Sequence, residues 1–282
     1  MFNLIYKSNK RDRTTNEFLT IEFGKAPYFA SYGDMQSYEW DYTDNSDYGR
    51  ISNFRRGIRE YSLPVVVSRT ASAEAINHLH EVIDYDVINQ TKGRLYYGDT
   101  YKEGWFYAGT PESYRKSDHM IKLDLKFITD DSAWIKETTM TVTGKAISGG
   151  GTEGVNTLTD YPVDMAYDLV NDEKVVDVDI SAEAFVKLVI NGSATAPKIT
   201  IGDNIYEVDY SIKEGERIEI DGREKTVKMY DINENEFNIF SFRNREHDIF
   251  AKLKDGNNII KSNGSYSYTL MLVEERSMAE WI

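Results

Sequence analysis

Alternation of apolar and polar residues dominates this chain and predicts a protein built mainly from β-strands. The clearest example is the segment 120–128, in which Ile121, Leu123 and Phe127 share one face while lysine and aspartate occupy the other. Successive side chains of a strand point to opposite faces, so this period of two identifies the buried face. Further segments with strand character in the first half are 18–24, 61–67, 94–97 and 105–107.

One segment has a helical period instead. Between residues 71 and 88, Ile76, Leu79 and Ile83 recur at spacings of three and four. This spacing places their side chains on one face and predicts an amphipathic helix. Ser72 and the threonine two residues before it are suitable N-cap residues, because their hydroxyl groups accept hydrogen bonds from free backbone N–H groups.

The second half returns to short alternating segments, and turn-forming dipeptides separate them. Asn191-Gly192, Asp221-Gly222 and Asp255-Gly256 are examples of such turns. Short strands at this spacing predict an antiparallel β-sandwich or jelly roll. The predicted strands are 175–180, 185–190, 199–201, 205–208, 217–221, 226–230, 237–242 and 266–273.

A break in the pattern divides the chain. The segment 141–165 contains the glycine-rich stretch 148–154, whose composition predicts a flexible linker. We therefore predict a first module over 1–140, a linker over 141–165 and a β-sandwich over 166–282. The predicted fold class is mainly β with one helix, and the helix gives the first module an α+β character.

Composition excludes several classes of protein. The chain has 282 residues, of which 40% are hydrophobic and 28% charged, as is typical of globular proteins. No apolar run approaches the roughly 18 residues that suggest a membrane span, so we expect no membrane insertion. The first residues do not resemble a secretory signal, which predicts synthesis and assembly in a cytoplasm. The absence of cysteine excludes disulfides, thiol catalysis and cysteine-type zinc sites.

The net charge of −14 is unevenly distributed. Residues 1–140 contain 18 Lys and Arg against 21 Asp and Glu, a balance of −3. Residues 141–282 contain 15 against 26, a balance of −11. Tight binding of nucleic acid requires basic side chains that neutralise phosphates, so the second half argues against it. Two interpretations remain open: ordinary solubility, or a surface that repels DNA or meets a basic partner.

No catalytic or metal-binding motif withstands inspection. His78 and His80 point in different directions on a helix, since residues two apart lie about 200° apart, and cannot share a metal ion. The run Asp231-x-Asn233-x-Asn235 resembles the start of a calcium loop, but that loop needs glycine and glutamate at two later positions, which this chain does not have. A polar turn is the better interpretation. We therefore expect no enzyme activity, no catalytic residues, no metal and no cofactor.

Tyrosine and arginine offer a different signal. Of the 20 tyrosines, 13 precede residue 141, and four arginines lie between residues 50 and 59. Tyrosine, tryptophan and arginine are enriched in protein interfaces, although aromatic residues also pack across strands within one sheet. Both interpretations remain open for the tyrosines, and the arginines could equally lie on a solvated loop. The candidate residues of an oligomer interface are Tyr28, Tyr32, Tyr38, Trp40, Arg50, Arg55, Arg56 and Arg59.

Several short motifs occur in a recognisable order. The segment 93–101 precedes Gly-Trp-Phe-Tyr at 104–107, and the second half contains Gly-Glu-Arg-Ile-Glu-Ile-Asp at 215–221. Phe250, Leu253 and Gly256 then belong to a Phe-x-x-Leu-x-x-Gly-x-Asn pattern. In this order the motifs resemble the distal tail protein (Dit) family of long-tailed phages with non-contractile tails, found in phages and prophages of Gram-positive hosts. The resemblance covers nearly the whole chain.

This resemblance implies a structural protein of the virion rather than an enzyme. It implies that the first module forms a homo-hexameric ring, while the second is a galectin-like β-sandwich. The ring would be the baseplate hub, which joins the tail tube to the tail-associated fibre or lysin protein and to receptor-binding proteins for host attachment. DNA would pass through the ring without specific binding.

An alternative is a carbohydrate-binding module that recognises a host cell-wall polysaccharide. Tyr230, Tyr266 and Tyr268 would be its exposed aromatic residues. A galectin-like fold does not by itself supply a sugar site.

Overall fold

A computed structural model describes residues 4–31, 33–45, 49–68, 72–113, 120–142, 173–264 and 266–279. It divides the chain into two compact units. The first unit contains the residues up to Lys136 and those from Glu275 onward, and the second contains Glu137–Glu274. The chain therefore crosses twice between the units, and the described residues 275–279 belong to the first unit although the sequence grouped them with the second. Most of the expected linker, residues 143–165, lies outside the described ranges.

The first unit combines antiparallel strands with a helix, as the sequence predicted. Its strand β8 is long and takes part in two sheets, pairing with β7 through its first half and with β9 through its second. One sheet has the order β10-β8-β7-β1-β2, and the other runs β3-β6-β9-β8. The elements are β1 (Leu4–Arg11), β2 (Phe18–Glu22), β3 (Tyr28–Ala30), β4 (Asp41–Asn45), β5 (Arg50–Arg55), β6 (Arg59–Ser68), α1 (Ser72–Ile88), β7 (Gly93–Tyr97), β8 (Thr100–Ser113), β9 (Met120–Thr129) and β10 (Trp134–Val142). Strand β10 begins in the first unit, and its residues from Glu137 onward belong to the second.

Gly104 allows β8 to change sheets. A Cβ atom at this position would lie 2.3 Å from the carbonyl oxygen of Ile128, closer than real Cβ atoms approach, so only glycine lets β8 and β9 meet here. Beyond this point the inward residues of both sheets join one core. Tyr6, Phe23 and Phe127 surround Phe106 there, with ring centroids 5.0 to 5.6 Å apart.

Helix α1 closes this core through its predicted apolar face. Leu79 and Val82 are almost fully buried. Near the end of the helix, the buried carboxylate of Asp86 accepts hydrogen bonds from the Tyr6 hydroxyl at 2.7 Å and from the backbone N–H of Asn9 at 3.0 Å. Burial and the neighbouring Asp86 raise the pKa of Tyr6 well above its usual value, so its hydroxyl group stays a donor. A polar contact thus joins the helix to β1.

Lys102 is an exception to the apolar interior. Its side chain is fully buried, and its Nζ atom lies 3.9 Å from the ring centroid of Tyr61 and 4.9 Å from that of Trp134. The ammonium group has no hydrogen-bond partner among the described residues. Burial lowers the pKa of Lys102 to about 7, against the attraction of Asp131 and Asp34. The two rings favour the charged form, but their attraction is smaller than the cost of removing an ammonium group from water.

The second unit is an antiparallel assembly of strands, as predicted. The long strand β11 pairs with β17 and β18, and its final residues also pair with β14. The inward residues form one core that includes Ile190, Tyr206 and Ile220. Its strands are β11 (Glu173–Asn191), β12 (Lys198–Ile201), β13 (Asn204–Glu207), β14 (Arg217–Asp221), β15 (Thr226–Tyr230), β16 (Glu236–Asn238), β17 (Leu253–Ser262) and β18 (Ser267–Arg276), the last of which ends in the first unit.

Some predicted boundaries are wrong. The expected strands 175–180 and 185–190 are one continuous strand, and the expected strand 237–242 ends at Asn238. There the side-chain oxygen of Asn238 accepts a hydrogen bond from the N–H of Phe240, and a 3-10 turn follows over Phe240–Phe242. No helix among the described residues is long and apolar enough to cross a membrane.

Candidate assembly surface

Tyr28 lies in the core rather than on a surface. Only 5% of it is exposed, and its hydroxyl group donates a hydrogen bond to the carbonyl oxygen of Ala75 at 2.7 Å. Its ring packs against Phe23. The contact fixes β3 to the start of α1. The expectation that Tyr28 contributes to an oligomer interface is therefore wrong, because the aromatic ring fills the interior of its own unit.

Trp40 and Arg56 contact the residues that return to the first unit. Arg56 donates a hydrogen bond to the Glu275 carboxylate at 2.8 Å, and both side chains are 16% exposed. The guanidinium group also lies 4.5 Å from the Trp40 ring centroid. The Trp40 indole N–H donates to the hydroxyl of Ser277 at 3.2 Å. These contacts form a clasp within one chain, which we call the 40/56/275 clasp.

Arg59 also has an internal partner. Its guanidinium group donates to the Asp41 carboxylate at 2.7 Å, joining β6 to β4. This hydrogen bond holds the pKa of Asp41 below its usual value. Glu39 lies 3.8 Å from the same guanidinium group. Of the predicted arginines, Arg56 and Arg59 therefore stabilise the base of the hairpin formed by β4 and β5.

The β4–β5 hairpin carries the remaining candidates. Among the described strands, β4 and β5 pair only with each other. Arg50 and Arg55 are exposed on β5, and Tyr38, which precedes β4, is 57% exposed. Tyr32 lies outside the described residues. An isolated two-stranded hairpin is marginally stable in water, so this one depends on its base and on any surface that covers it.

The same hairpin exposes apolar side chains that the sequence analysis did not single out. Tyr42, Ile51 and Phe54 are 58 to 61% exposed, and the rings of Tyr42 and Phe54 lie 6.3 Å apart. We call these three residues the hairpin patch. Arg50 and Arg55 alternate onto the opposite face of β5, and Asp44, which pairs with Ile51, shares the apolar face. No alternation in the sequence marks these residues, because Ile51 and Phe54 are three residues apart across an irregularity in the β4–β5 register.

Helix α1 has an exposed apolar end. Tyr85 and Val87 are 37% and 40% exposed, and Ile88 reaches 77%. Asp84, on the same last turns, is exposed as well. We call these four residues the helix patch. The helix contains acidic residues and neither lysine nor arginine, although a helix C-terminus is stabilised by cations and destabilised by anions.

The motifs rejected as catalytic sites have structural explanations. The Asp231 carboxylate accepts hydrogen bonds from the backbone N–H groups of Asn233 and Asn235 and from the Asn235 side chain, which confirms a polar turn and lowers the pKa of Asp231. His78 borders a shallow surface depression of about 390 Å³ beside β2. Within the described ranges, no three His, Asp or Glu side chains are grouped to hold a metal ion.

The tyrosines proposed for sugar binding are unsuitable. Tyr266 and Tyr268 are 6% and 3% exposed, so their rings cannot stack on a sugar. Tyr230 is half-buried, and the Arg217 guanidinium covers it at 4.3 Å. The sequence showed that these tyrosines lie in alternating segments, but it did not show that the side chains of Tyr266 and Tyr268 face the core. Among the described residues of this unit, the exposed large aromatic side chains are Phe237, Phe240 and Phe242.

Comparison with known proteins finds similar solved structures but no similar sequence. No family model and no curated protein sequence matches the chain. Among solved structures, SPP1 Dit (gp 19.1), described as a paradigm of the hub adsorption apparatus in phages that infect Gram-positive bacteria, is similar over 98% of this chain and 99% of its own. The TM-score is 0.56 and the identity 15%. The chain has the Dit fold.

Two further structures support this conclusion. A chain of the phage P2 baseplate in its activated conformation with Ca matches 99% of this chain and 100% of its own, with a TM-score of 0.60 and 10% identity. The corresponding structure with Sr has the same TM-score at 11% identity. These Dit and baseplate proteins are structural components of phages and not enzymes. The predicted mainly β fold with one helix is confirmed.

Proposed function

We propose that this protein is a phage distal tail protein that forms a homo-hexameric ring, the hub between the tail tube and the tail tip or baseplate. The observation that carries the proposal is the similarity to SPP1 Dit, which extends over both units and nearly the whole of each chain. A match of this extent covers both units rather than one common domain. The proposed location is the phage tail, after assembly in the bacterial cytoplasm.

The physical properties of the chain fit this role. A hub acts through contacts, and the first unit exposes apolar side chains on its hairpin and at the end of its helix. Exposed apolar clusters rimmed by charge are typical of protein-binding surfaces. With a net charge of −14, of which −3 belongs to residues 1–140, the chain has no basic excess that would hold DNA passing through a ring.

Three kinds of partner follow from the proposal. The ring would bind the tail tube protein, a tail-associated fibre or lysin protein, and receptor-binding proteins. The second unit, as a galectin-like sandwich, would provide a surface for the last of these. Its exposed phenylalanines Phe237, Phe240 and Phe242 are candidates for this contact, since aromatic residues are enriched in protein interfaces.

The solution mass of the purified chain tests the proposal. Light scattering at several concentrations, with negative-stain images of the same samples, should show a ring of six copies. A second measurement adds purified tail tubes and follows co-sedimentation. A protein that stays monomeric at every concentration and does not co-sediment with tail tubes is not a tail hub.

A further inference from the structure

One face of the sheet β10-β8-β7-β1-β2 brings several cations together. Lys7 in β1 lies directly opposite Arg94 in β7. Farther along β1, Arg11 lies opposite Phe18 in β2. The Lys7 ammonium and the Arg11 guanidinium group lie 4.7 and 4.0 Å from the Phe18 ring centroid, so these side chains share one face. Tyr96 follows Arg94 on the same face of β7, and we call these five residues the sheet patch.

The sheet patch has a surplus of positive charge. Arg94 has a carboxylate partner, Glu103, at 3.2 Å, and Glu22 on the same face has a lysine partner of its own. Among the described residues, neither Lys7 nor Arg11 forms an ion pair with a carboxylate. Lys7 faces Arg94 instead, and like charges directly opposite each other in a sheet are destabilising. This repulsion costs the single chain stability and is relieved when an anionic partner binds.

Helix α1 covers the opposite side of the same sheet. The Tyr6 hydroxyl donates a hydrogen bond to Asp86 of the helix at 2.7 Å. The Ser8 hydroxyl donates one to the carbonyl oxygen of Val82 at 3.2 Å. Lys7 lies between Tyr6 and Ser8 in β1, and because successive side chains of a strand alternate, it points away from the helix. The sheet patch and the helix patch therefore lie on opposite sides of the first unit.

The helix patch complements the sheet patch in charge. It combines three exposed apolar side chains with Asp84, on a helix that contains neither lysine nor arginine. Glu81 is paired with Lys10, whereas Asp84 has no ion-pair partner within the part of the chain that the structure describes. An anion near a helix C-terminus also costs stability. Both patches thus carry charges that a partner of opposite sign would stabilise.

We propose that the sheet patch of one copy binds the helix patch of a second copy. The inference rests on the proposed function, because it specifies the contact that builds the ring. In this contact Lys7 and Arg11 pair with the Asp84 carboxylate, and such charges steer and orient the partners. The rings of Phe18 and Tyr96 cover the apolar end of the helix. Two unpaired cations per chain are few for DNA, whose affinity depends on the number of phosphates neutralised.

Charge selects this pairing over symmetric ones. Two sheet patches brought together would set Lys7 and Arg11 against the same cations of the partner, and two helix patches would set Asp84 against Asp84. Like charges facing each other oppose association, so both arrangements are disfavoured. A contact between opposite sides of the unit is heterologous and leaves each copy one patch for the next copy. Such contacts generate closed rings when the rotation between copies is right.

Charge reversal in the sheet patch tests the contact. We expect Lys7→Glu with Arg11→Glu to raise the concentration for half-assembly at least about tenfold. The unfolding temperature of the single chain should not fall, because the exchange removes the repulsion between positions 7 and 94. Lys254→Glu, at an exposed lysine of β17 in the second unit, is the matched control. Assembly of the double variant at the wild-type concentration would overturn the proposal.

The helix patch is tested in the same way. Asp84→Lys should weaken the ring, and a chain that carries all three substitutions should regain at least part of the loss, since opposite charges then face each other again. Ile88→Ser should weaken the ring as well, because it removes an apolar anchor. Ile232→Ser is its control, since Ile232 is 73% exposed in the second unit. If the threefold variant is weaker than both parents, the patches do not meet.

Mixing the two kinds of charge-reversed chain shows whether the contact joins different patches. Neither the Lys7→Glu, Arg11→Glu chain nor the Asp84→Lys chain should form rings alone. An equimolar mixture should form rings in which the two chains alternate, because every contact then joins opposite charges. Light scattering and native mass spectrometry measure the mass and the proportion of the two chains. A mixture that assembles no better than its components contradicts the inference.

The remaining outcomes separate this contact from the proposed function. If wild-type protein forms no ring and binds no tail tube, the proposed function fails. A wild-type ring that tolerates every variant removes this contact alone. Double-stranded DNA serves as a further probe: if wild-type protein retards it, and the Lys7→Glu, Arg11→Glu chain does not retard it yet assembles normally, the sheet patch binds phosphates and the inference is wrong.

Discussion

Lys102 shows how one side chain can make stability depend on pH. The folded chain lowers the pKa of this lysine to about 7 through burial, from a usual value near 10.5. Between these values the unfolded chain holds a proton that the folded chain has released. The free energy of unfolding therefore rises with pH across this window, by about 1.4 kcal/mol per unit from this group. Below pH 7 Lys102 is protonated in both the folded and the unfolded chain, so the folded chain bears the full cost of burying the charged ammonium group.

We expect Lys102→Met to stabilise the protein at pH 7. Methionine fits between Tyr61 and Trp134 without a charge to desolvate, so the free energy of unfolding should increase by about 1–3 kcal/mol. Urea denaturation at pH 6.5 and pH 9.5 measures both the increase and the loss of pH dependence. Lys122→Met, at an exposed lysine of β9, should change neither. A decrease in stability at pH 6.5 would mean that the rings stabilise a charged lysine.

Tyr6 provides a second test at the same scale. In Tyr6→Phe the buried Asp86 carboxylate loses its 2.7 Å hydrogen bond, which should cost about 1.5–3 kcal/mol. Thermal unfolding measures the loss. Tyr85→Phe is the comparison, because that hydroxyl group belongs to a residue that is 37% exposed. Equal stability of the two variants would show that the Asp86 contact contributes little.

Individual aromatic residues were the hardest feature to predict from sequence. Tyr28 and Tyr38 lie ten residues apart in similar surroundings, yet one fills the core and the other is 57% exposed. Composition indicates that tyrosine is abundant, but burial depends on which strand pairs with which. Arg56 likewise binds Glu275, a residue 219 positions away, and no local pattern reveals such a contact.

At the scale of elements, strong alternation was a reliable guide. The turn dipeptides Asn191-Gly192 and Asp221-Gly222 correctly marked the ends of β11 and β14, whereas Asp255-Gly256 did not mark a turn. Helix α1, β6, β9, β14 and β15 agree closely with the predictions. Strand β17 was missed because Asp255-Gly256 indicated a turn. In the structure Gly256, with a φ of 111°, lies within β17 close to a shift in its register with β11, so the pair marks an irregularity inside a strand.

Strands β1, β3, β4, β5 and β10 were missed as well, and in β1 and β10 the reason is that polar residues occupy their faces. In β1 the inward residues include Tyr6 and the buried Ser8, which weakens the apolar alternation. In β10 the exposed positions are threonines and a glutamate, so few apolar residues define the strand. Threonine nevertheless favours extended backbone, and this preference was the available signal.

The 40/56/275 clasp predicts a measurable effect on the first unit. Arg56→Glu places a carboxylate beside Glu275, and the half-buried pair should lose about 1–3 kcal/mol of unfolding free energy. The exchange Arg56→Glu with Glu275→Arg should recover at least half of the loss. The comparison is Lys10→Glu, whose partner Glu81 is more than half exposed, and which should cost less than about 1 kcal/mol. No recovery in the exchanged variant would contradict a direct pairing.

At the scale of the whole molecule, the two units can be observed separately. The four tryptophans, at positions 40, 105, 134 and 281, all lie outside 137–274. Tryptophan fluorescence therefore follows the first unit, while circular dichroism follows both. The sequence predicted two parts but not that the first is completed by residues far along the chain.

We expect a chain that stops at Glu274 to have a weakened first unit and an unchanged second unit. It lacks the partner of Arg56 and the buried Ala279, so the fluorescence transition should move to lower urea concentration. The part of the circular dichroism change that comes from the second unit should occur at an unchanged urea concentration. Ile220→Ala removes most of a fully buried side chain of the second unit and should lower the unfolding free energy of that unit by about 2–5 kcal/mol. In this variant the circular dichroism transition of the second unit should move, while the fluorescence transition stays in place. A single transition that moves as one in both proteins would show that the units do not unfold independently.

The return of residues 275–279 to the first unit also sets an order of events during translation. Residues 137–274 leave the ribosome before 275–279, and at about 5–20 residues per second their synthesis takes roughly 7–28 s. During that time Trp40 and Arg56 have no Ser277 or Glu275 to bind, and the base of the hairpin is incomplete. The first unit therefore gains these two contacts only after the whole of the second unit has been synthesised.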